Sequence, residues 1–362
     1  MHSDGLGTFS AAQSRSKKLE EKIRQNHKAF RVLTGERPTG LLHIGHLFGS
    51  IMERVRLQQL GTEVFVLIAD YQVMTDRDEL GAVTSNAYNI ILDNLAAGLD
   101  PEVTTFFVHS QIPELNQLVL PFLSLVSESE LHRNPTVKAE LEASGGKMSG
   151  LMLIYPIHQA ADILFCKGNV VPVGKDQLPH IEIARVIARR FNERFCGDGS
   201  IFPLPEALLS NTSLLPGLDG RKMSKSFGNA ISLSMTNDDT AALIRRSETD
   251  STREISYDPE NRPGISALLD YIVLARGQEL NAESLHLVVD EINSDPKYGA
   301  GLLKQKATDA INDFLEPHRT KRAEYAKNMD YITEVLKNGN IKAREIAATT
   351  LHEVSVAMGT VY

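Results

Sequence analysis

Cysteine is nearly absent from this chain. Only Cys166 and Cys196 occur in 362 residues and no Cys-x-x-Cys is present, which excludes a four-thiolate zinc or iron–sulfur site. Both thiols lie in apolar or helical context and read as core residues. Long apolar runs are missing as well: none approaches the roughly 18 residues that a membrane span needs. Met1–Gln13 lacks a basic patch followed by an apolar core, so no secretory leader is expected and the cytoplasm is the default compartment. A disulfide would be out of place there. Positive charge is in deficit, with 38 Lys and Arg against 46 Asp and Glu, a net charge of −8. That balance excludes indiscriminate coating of nucleic acid and leaves room for a local basic patch. There is no internal repeat and no low-complexity segment. What remains is an ordinary globular composition, 42% apolar, on a chain long enough for two domains.

The chain is organised around Gly35–Leu47 (GERPTGLLHIGHL). Ahead of it, Ala29–Thr34 (AFRVLT) has the apolar, β-branched pattern of a strand. Behind it, Leu47, Ile51, Val55 and Leu57/Leu60 share one face of a helix over Leu47–Leu60. Strand, Gly/Pro turn, helix is the opening of a βαβ unit, and the helix start offers unpaired N–H groups to an anion. Gly35, Gly40 and Gly45 carry no Cβ, so a ligand can approach the backbone closely. His43 and His46 can donate hydrogen bonds to phosphate oxygens. Two capped surface histidines would look the same in isolation.

The alternation continues. Glu63–Asp70 (EVFVLIAD) is a continuous apolar strand, Glu79–Gly98 a helix stopped by Gly98, Thr104–Ser110 a third strand and Glu114–Val126 a further helix. This predicts an α/β fold, a doubly wound parallel (Rossmann-like) sheet whose ligands sit beyond the carboxyl ends of the strands. Glu128–Gly150 is polar and reads as a flexible connecting insertion, and its Lys147 as a coincidental echo of the lysine loop described below. Leu151–Cys166 reads as a helix starting near Pro156, with Tyr155, Gln159 and Asp162 on one stripe. Asp162 on so apolar a surface needs a partner. That partner is either a neighbouring backbone N–H or a substrate donor, and the fold context favours the substrate. Asn169–Gly174 is a strand leading through Lys175, Asp176 and Gln177 into the helix Leu178–Phe195, a second anion-site turn; Asp176 reads as a cap of that helix. Arg185, Arg189, Arg190 and Arg194 on it read as a solvated face. From Met235 onward there are only helices, expected at Asp238–Ser247, Gly264–Ala275, Ala282–Asn293, Ala300–Leu336 (broken at Pro317) and Ile341–Met358. The domains are therefore expected to be a polar extension at 1–27, a frayed arm ending in a solvated helix; a Rossmann-like domain at 28–230; and a C-terminal all-α domain at 231–362. Lys304/Lys306, Arg319/Lys321/Arg322 and Lys337/Lys342/Arg344 could be phosphate contacts or plain helix surface.

Gly220–Gly228 (GRKMSKSFG) has no apolar periodicity and reads as a mobile loop. Lys222 and Lys225 can neutralise a polyphosphate, and Ser224 and Ser226 can donate to it. Alone it would be a solvated basic turn. His43-Ile-Gly-His46 followed by Lys222-Met-Ser-Lys-Ser226, however, resembles the paired motifs of class I aminoacyl-tRNA synthetases. From Arg31 to Val361 the chain resembles their tryptophan/tyrosine subclass, compact homodimers without an editing domain. TGERPTG at 34–40, LIADYQ at 67–72, NPTVK at 134–138, QAADI at 159–163, VPVGKDQ at 171–177 and PHIE at 179–182 are similar to the bacterial tryptophanyl branch. Val173-Gly174 stands where tyrosyl enzymes usually have Gly-Gly. The Tyr155/Gln159/Asp162 stripe also occurs in tyrosyl enzymes, so tyrosine remains the alternative substrate. A non-catalytic paralogue and a small-molecule nucleotidyltransferase stand behind it; the intact motifs argue against the first, and the lysine loop and helical tail against the second.

The resemblance implies a tryptophan–tRNA ligase that makes an aminoacyl-adenylate from L-tryptophan and ATP and passes the aminoacyl group to tRNA(Trp). His43, His46, Lys222 and Lys225 would be catalytic. ATP would be held by Arg37, Pro38, Thr39, Gly45, His46, Gly174, Lys175, Asp176 and the loop residues Lys222, Met223, Ser224, Lys225 and Ser226. Mg2+ would accompany ATP on phosphates and water, with no dedicated metal site. Asp162 would accept the indole N–H, Tyr155, Gln177 and Gln159 would hold the α-amine, and Gln72 would lie by the carboxylate. Arg37 and Gln159 depart from the commoner Gln and Met of the family. A homodimer is implied, with the helical domain reading the anticodon.

Overall fold

The computed structural model describes residues 4–75, 81–143, 148–209, 215–224 and 227–362. Five parallel strands form the centre: β1 (Arg31–Glu36), β2 (Glu63–Ile68), β3 (Thr104–Val108), β4 (Val170–Val173) and β5 (Glu206–Leu209), in the order β3-β2-β1-β4-β5. The order reverses between β1 and β4, the switch point at which doubly wound sheets bind ligands. Strand residues alternate between two cores. Val32, Val64, Val66 and Phe106 enter one cluster, while Leu33, Phe65, Leu67 and Phe107 enter the other on the opposite face.

The helices, in chain order, are α1 (Asp4–Gln25), α2 (Ile44–His46), α3 (Met52–Gln59), α4 (Val83–Ala97), α5 (Pro113–Gln117), α6 (Val119–Leu123), α7 (Glu128–His132), α8 (Pro135–Ala143), α9 (Gly150–Leu164), α10 (Leu178–Phe195), α11 (Asn237–Arg246), α12 (Pro263–Ala275), α13 (Ala282–Asn293), α14 (Ala300–Ala326) and α15 (Met329–Met358). The expected helix Leu47–Leu60 is a π-type turn over Leu47–Ile51 running into α3. Gly98 ends α4 in a left-handed conformation, φ 112°, as expected of a stop glycine.

Several expectations are corrected. The stretch 128–150 is not a bare linker: it forms α7 and α8, with Ser127 and Glu130 capping the first reciprocally. Lys147 lies outside the described residues. α9 begins at its Ser149 cap and carries Pro156 inside it. α14 also runs through its proline, and the break falls at Asn328, whose side chain accepts the Tyr331 N–H at 3.2 Å to start α15. β5 was not anticipated at all.

Both sheet edges are covered from opposite ends of the chain. At β5, the Leu209 N–H donates to Ser16 Oγ of α1 at 2.9 Å, and Leu19 and Ile23 of α1 are buried. The segment expected as a frayed arm is thus packed, and Arg56 holds it further through both oxygens of Glu20 at 2.7 and 2.8 Å. At β3, the Val108 N–H donates to Asn340 Oδ1 of α15 at 3.1 Å. An open edge would invite pairing with other chains, and these helices close it.

Candidate active site

The turn after β1 is built on a buried charge pair. Arg54 of α3 is 1% exposed and donates to Glu36 Oε1 at 2.5 Å, Thr34 Oγ1 at 3.0 Å and Asn94 Oδ1 at 3.1 Å. Burial pushes the Glu36 carboxyl up, but the charges of Arg54 and His46 and hydrogen bonds from Arg54 and Ser50 outweigh it and hold it below the usual range. On this base the chain turns at His43, in extended conformation, into α2. His46 Nδ1 accepts the His43 N–H at 3.2 Å, and the two rings lie 3.8 Å apart, half-buried at the carboxyl edge of the sheet. Thr39 and Pro38 continue the turn: the Thr39 N–H donates to Arg37 O at 2.8 Å and Pro38 O accepts from Asn86. Arg37 is exposed and reaches Thr75 Oγ1 at 3.4 Å.

The lysine loop folds onto this turn. Ile44 N–H donates to Ile231 O at 2.9 Å and Leu233 N–H to Leu42 O at 3.0 Å, so the strand-like exit of the loop runs beside residues 42–44. A Cβ on Gly45 would stand 3.2 Å from Met223 Sδ, so only glycine allows this approach without a shift. Asn229 organises the loop and was missed at the sequence level. It is 4% exposed, accepts the Ser224 N–H at 2.8 Å, and donates to Asp219 Oδ1 at 2.7 Å and Lys222 O at 3.1 Å. Lys222 is exposed beside the turn. The predicted Lys225 and Ser226 lie outside the described residues.

The turn after β4 completes the edge. Gly174, Lys175 and Asp176 are exposed there, and a Cβ on Gly174 would meet Asp176 Oδ1 at 2.8 Å. Asp176 does not cap α10. Its carboxylate accepts Gln177 Nε2 at 3.0 Å instead, because a 3₁₀ turn over Lys175–Gln177 puts Gln177, not Asp176, at the helix start.

Beyond β2 and β3 lies a buried polar cluster. Asp162 of α9 is 2% exposed; its Oδ1 is 2.7 Å from His109 Nε2 and its Oδ2 accepts Gln72 Nε2 at 3.3 Å. The structure therefore brings Gln72 and Asp162 together and adds His109, which sequence reasoning overlooked. Its signal was a lone imidazole ending the apolar strand TTFFV. Tyr155 lies on the same helix, but its hydroxyl bonds His180 Nε2 at 3.2 Å, and Gln159 is half-buried nearby on α9. Burial pushes His180 down to about 4 against the pull of Asp176, so its imidazole is neutral. His158 is likewise lowered by burial and bonds Asn116 Oδ1 at 2.9 Å. His109, His158 and Asp162 bring donor atoms within 4.8 Å of one another, but the 2.7 Å contact between His109 and Asp162 is that of a shared proton, not of a pair spread around a cation.

Most of the basic residues singled out along the helices are committed within the chain. Lys304 caps carbonyls of Arg245 and Ser247, Lys306 pairs with Glu291, Arg319 bonds Asn237, Asn312 and Thr240, Arg322 bonds Asp93 and Asn89, Lys342 pairs with Glu63 and Arg344 with Glu114. On α10, Arg185 pairs with Glu206 and Arg190 with Glu130. No helix among the described residues is long and apolar enough to cross a membrane.

A switch-point turn with two imidazoles, a lysine loop folded onto it and a buried polar cluster on the same edge define a protein of the doubly wound α/β class with a candidate site at its switch point. The comparisons narrow this. The family described as tRNA synthetases class I (W and Y) matches residues 25–316. The tryptophan–tRNA ligase of Lactococcus lactis is 40% identical over 343 residues, covering 91% of this chain and 98% of that protein. The tryptophanyl-tRNA synthetase of Campylobacter jejuni, solved with ADP and tryptophan, superimposes with a TM-score of 0.76 at 31% identity, over 91% of this chain and all of that one. The tyrosyl-tRNA synthetase of Archaeoglobus fulgidus, at 22% identity and a TM-score of 0.64 over 84% of this chain and 94% of its own, shares the fold. The chain belongs to the class I tRNA synthetases of the tryptophan and tyrosine group.

Proposed function

We infer that the chain is a tryptophan–tRNA ligase. The observation that carries the reading is the meeting of the two motifs at the switch point, Gly45 against Met223, on the same sheet edge as the buried carboxylate of Asp162 with its partners His109 and Gln72. In the first step the carboxylate of tryptophan attacks the α-phosphorus of ATP; a bond to that phosphorus forms, the bond to the bridging oxygen breaks, and pyrophosphate leaves. Such chemistry needs alignment and charge neutralisation more than a covalent nucleophile. In this reading His43 and His46 donate to the phosphates, Gly45 lets adenine rest on the backbone, and Arg37, Pro38 and Thr39 line the turn. Lys222 and Lys225 neutralise the departing pyrophosphate and Ser224 donates to it, with Met223 and Ser226 in the same loop. Gly174, Lys175 and Asp176 face the ribose. Mg2+ enters as part of the ATP substrate. Glu36 is taken by Arg54, and Asp219 by Arg221 and Asn229, which suits an ion held mainly by phosphates and water.

Asp162 accepts the indole N–H, the one polar handle of that ring. Tyr155, Gln159 and Gln177 hold the α-amine and Gln72 lies by the carboxylate. In the second step a ribose hydroxyl at the tRNA terminus takes the aminoacyl group and AMP leaves. The helices after residue 230 read the anticodon, the active species is a homodimer, and the compartment is the cytoplasm. ATP–pyrophosphate exchange tests the core of this: exchange with tryptophan but not with tyrosine is the expected result. Exchange with tyrosine alone would transfer the Asp162 pocket to a phenol, and exchange with neither would remove the enzymatic reading.

A further inference from the structure

We propose that His109 is a positioning residue for amino-acid selection, clamping the Asp162 carboxylate so that it presents a bare lone pair to the substrate's ring N–H. The proposal rests on the reading of Asp162 as the acceptor of that N–H. A carboxylate offers about four lone-pair directions over two oxygens, and its terminal torsion is soft. A buried Asp162 left to itself could swing its acceptors away from an incoming ring. His109 removes that freedom. Its Nε2 lies 2.7 Å from Asp162 Oδ1, whereas the Gln72 contact to Oδ2 is longer, 3.3 Å. Two points of attachment leave each oxygen one direction for a further donor.

The clamp is itself held rigidly. His109 is fully buried at the carboxyl end of β3, its ring between Tyr71, 6.2 Å away and nearly parallel, and His158, 4.3 Å away. Its backbone carbonyl accepts Asn116 Nδ2 at 3.2 Å, and Asn116 Oδ1 in turn bonds His158 Nε2. Among the described residues its Nδ1 has no hydrogen-bond partner, the nearest charge being Asp70 Oδ1 at 4.0 Å. The charged and titratable side chains around the ring are therefore Asp70, Tyr71, His158 and Asp162. An ionised Asp162 can only accept, so Nε2 must carry the proton and donate it, while Asp70 is too far to compete for that tautomer.

The test compares His109→Gln, whose amide keeps a donor at comparable reach, with His109→Asn, the same group one methylene short. Pyrophosphate exchange is measured with tryptophan and with its benzothiophene isostere, in which sulfur replaces the ring N–H. Wild type is expected to prefer tryptophan strongly. His109→Asn should raise the KM for tryptophan roughly 10- to 100-fold, the size expected for a hydrogen bond to a charged group, leave the KM for ATP alone and shrink the preference over the isostere; His109→Gln should restore both. Loss that is equal for the two amino acids, or that moves the ATP KM equally, overturns the proposal and leaves the Asp162 reading standing. A wild type indifferent to the ring N–H overturns that reading and this one with it. Should the Asn variant not fold, ¹⁵N-histidine spectra of the wild-type enzyme decide the matter. An Nε2–H tautomer of His109 supports the clamp and an Nδ1–H tautomer overturns it.

Discussion

At the scale of single residues, the proposed active edge is organised by buried polar side chains, Asn229 among them. Asn229 fixes the root of the lysine loop through three hydrogen bonds, to Ser224, Asp219 and Lys222. Asn229→Ala leaves the loop residues present but loosely aimed, and a misplacement of about 1 Å can lower the rate by about 100-fold. The kcat of pyrophosphate exchange should fall by about 10- to 100-fold with a much smaller change in the KM for tryptophan, as steady-state kinetics would show. Asp270 of α12 makes a pH-dependent contribution of the opposite kind. Burial, opposed by a hydrogen bond from Tyr257, pushes its carboxyl up to about 6 from an ordinary 3.8. Between those values the folded protein holds a proton that the unfolded chain has released, so stability falls as pH rises through this window and stays lower above it. Asp270→Asn should therefore raise the unfolding free energy at pH 7.5 by about 1–2 kcal/mol, and by nothing near pH 4, in urea titrations at the two pH values. A gain of equal size at both would mean that the charge is not the cause.

At the scale of elements, what could be foreseen depended on whether a local pattern or a distant partner decides the conformation. β1, β2 and β3 are legible because β-branched and apolar runs between glycine turns declare themselves, and the two turns proposed to face the nucleotide follow from the strands they end. β5 is not: Glu206–Leu209 is EALL, a composition suited to helix, and only pairing with β4 makes it a strand. Pro317 suggested a break, yet Leu315 and His318 on either side of it are buried and Arg319 and Arg322 bind neighbouring helices, so packing carries α14 across the missing N–H. The partners of Asp162 were illegible for the same reason, since His109 lies 53 residues away in sequence. α15 lies against the edge of the sheet at a glycine. A Cβ on Gly339 would stand 1.9 Å from the carbonyl oxygen of Phe106, in backbone that has no side-chain freedom to yield. Gly339→Ala should lower the unfolding free energy by about 3 kcal/mol. A substitution that unfolded at the wild-type urea midpoint would show that α15 can stand off from β3 at no cost.

At the scale of the whole molecule, the sheet and the C-terminal helices cannot be separated by their cores. The cluster on one face of the sheet runs without interruption from Val32, Val64 and Val66 to Leu268, Tyr271, Leu303 and Ile311. Ala343 and Ala347 of α15 join the cluster on the other face. Tyr271 of α12 also donates to Pro216 O at 2.6 Å, at the entry to the lysine loop, so the helical region helps hold that loop itself. A fragment ending at residue 236 would expose apolar faces of β1, β2, α3 and α4 and leave the β3 edge open, a loss larger than the few kcal/mol by which domains of this size are stable. We therefore expect the full chain to unfold in a single calorimetric transition whose van't Hoff and measured enthalpies agree, and the fragment to lack a cooperative melt. Two resolved transitions in the full chain, or a fragment that melts cooperatively on its own, would show that the nucleotide-binding half has a self-sufficient core and that the shared packing is an interface laid over it.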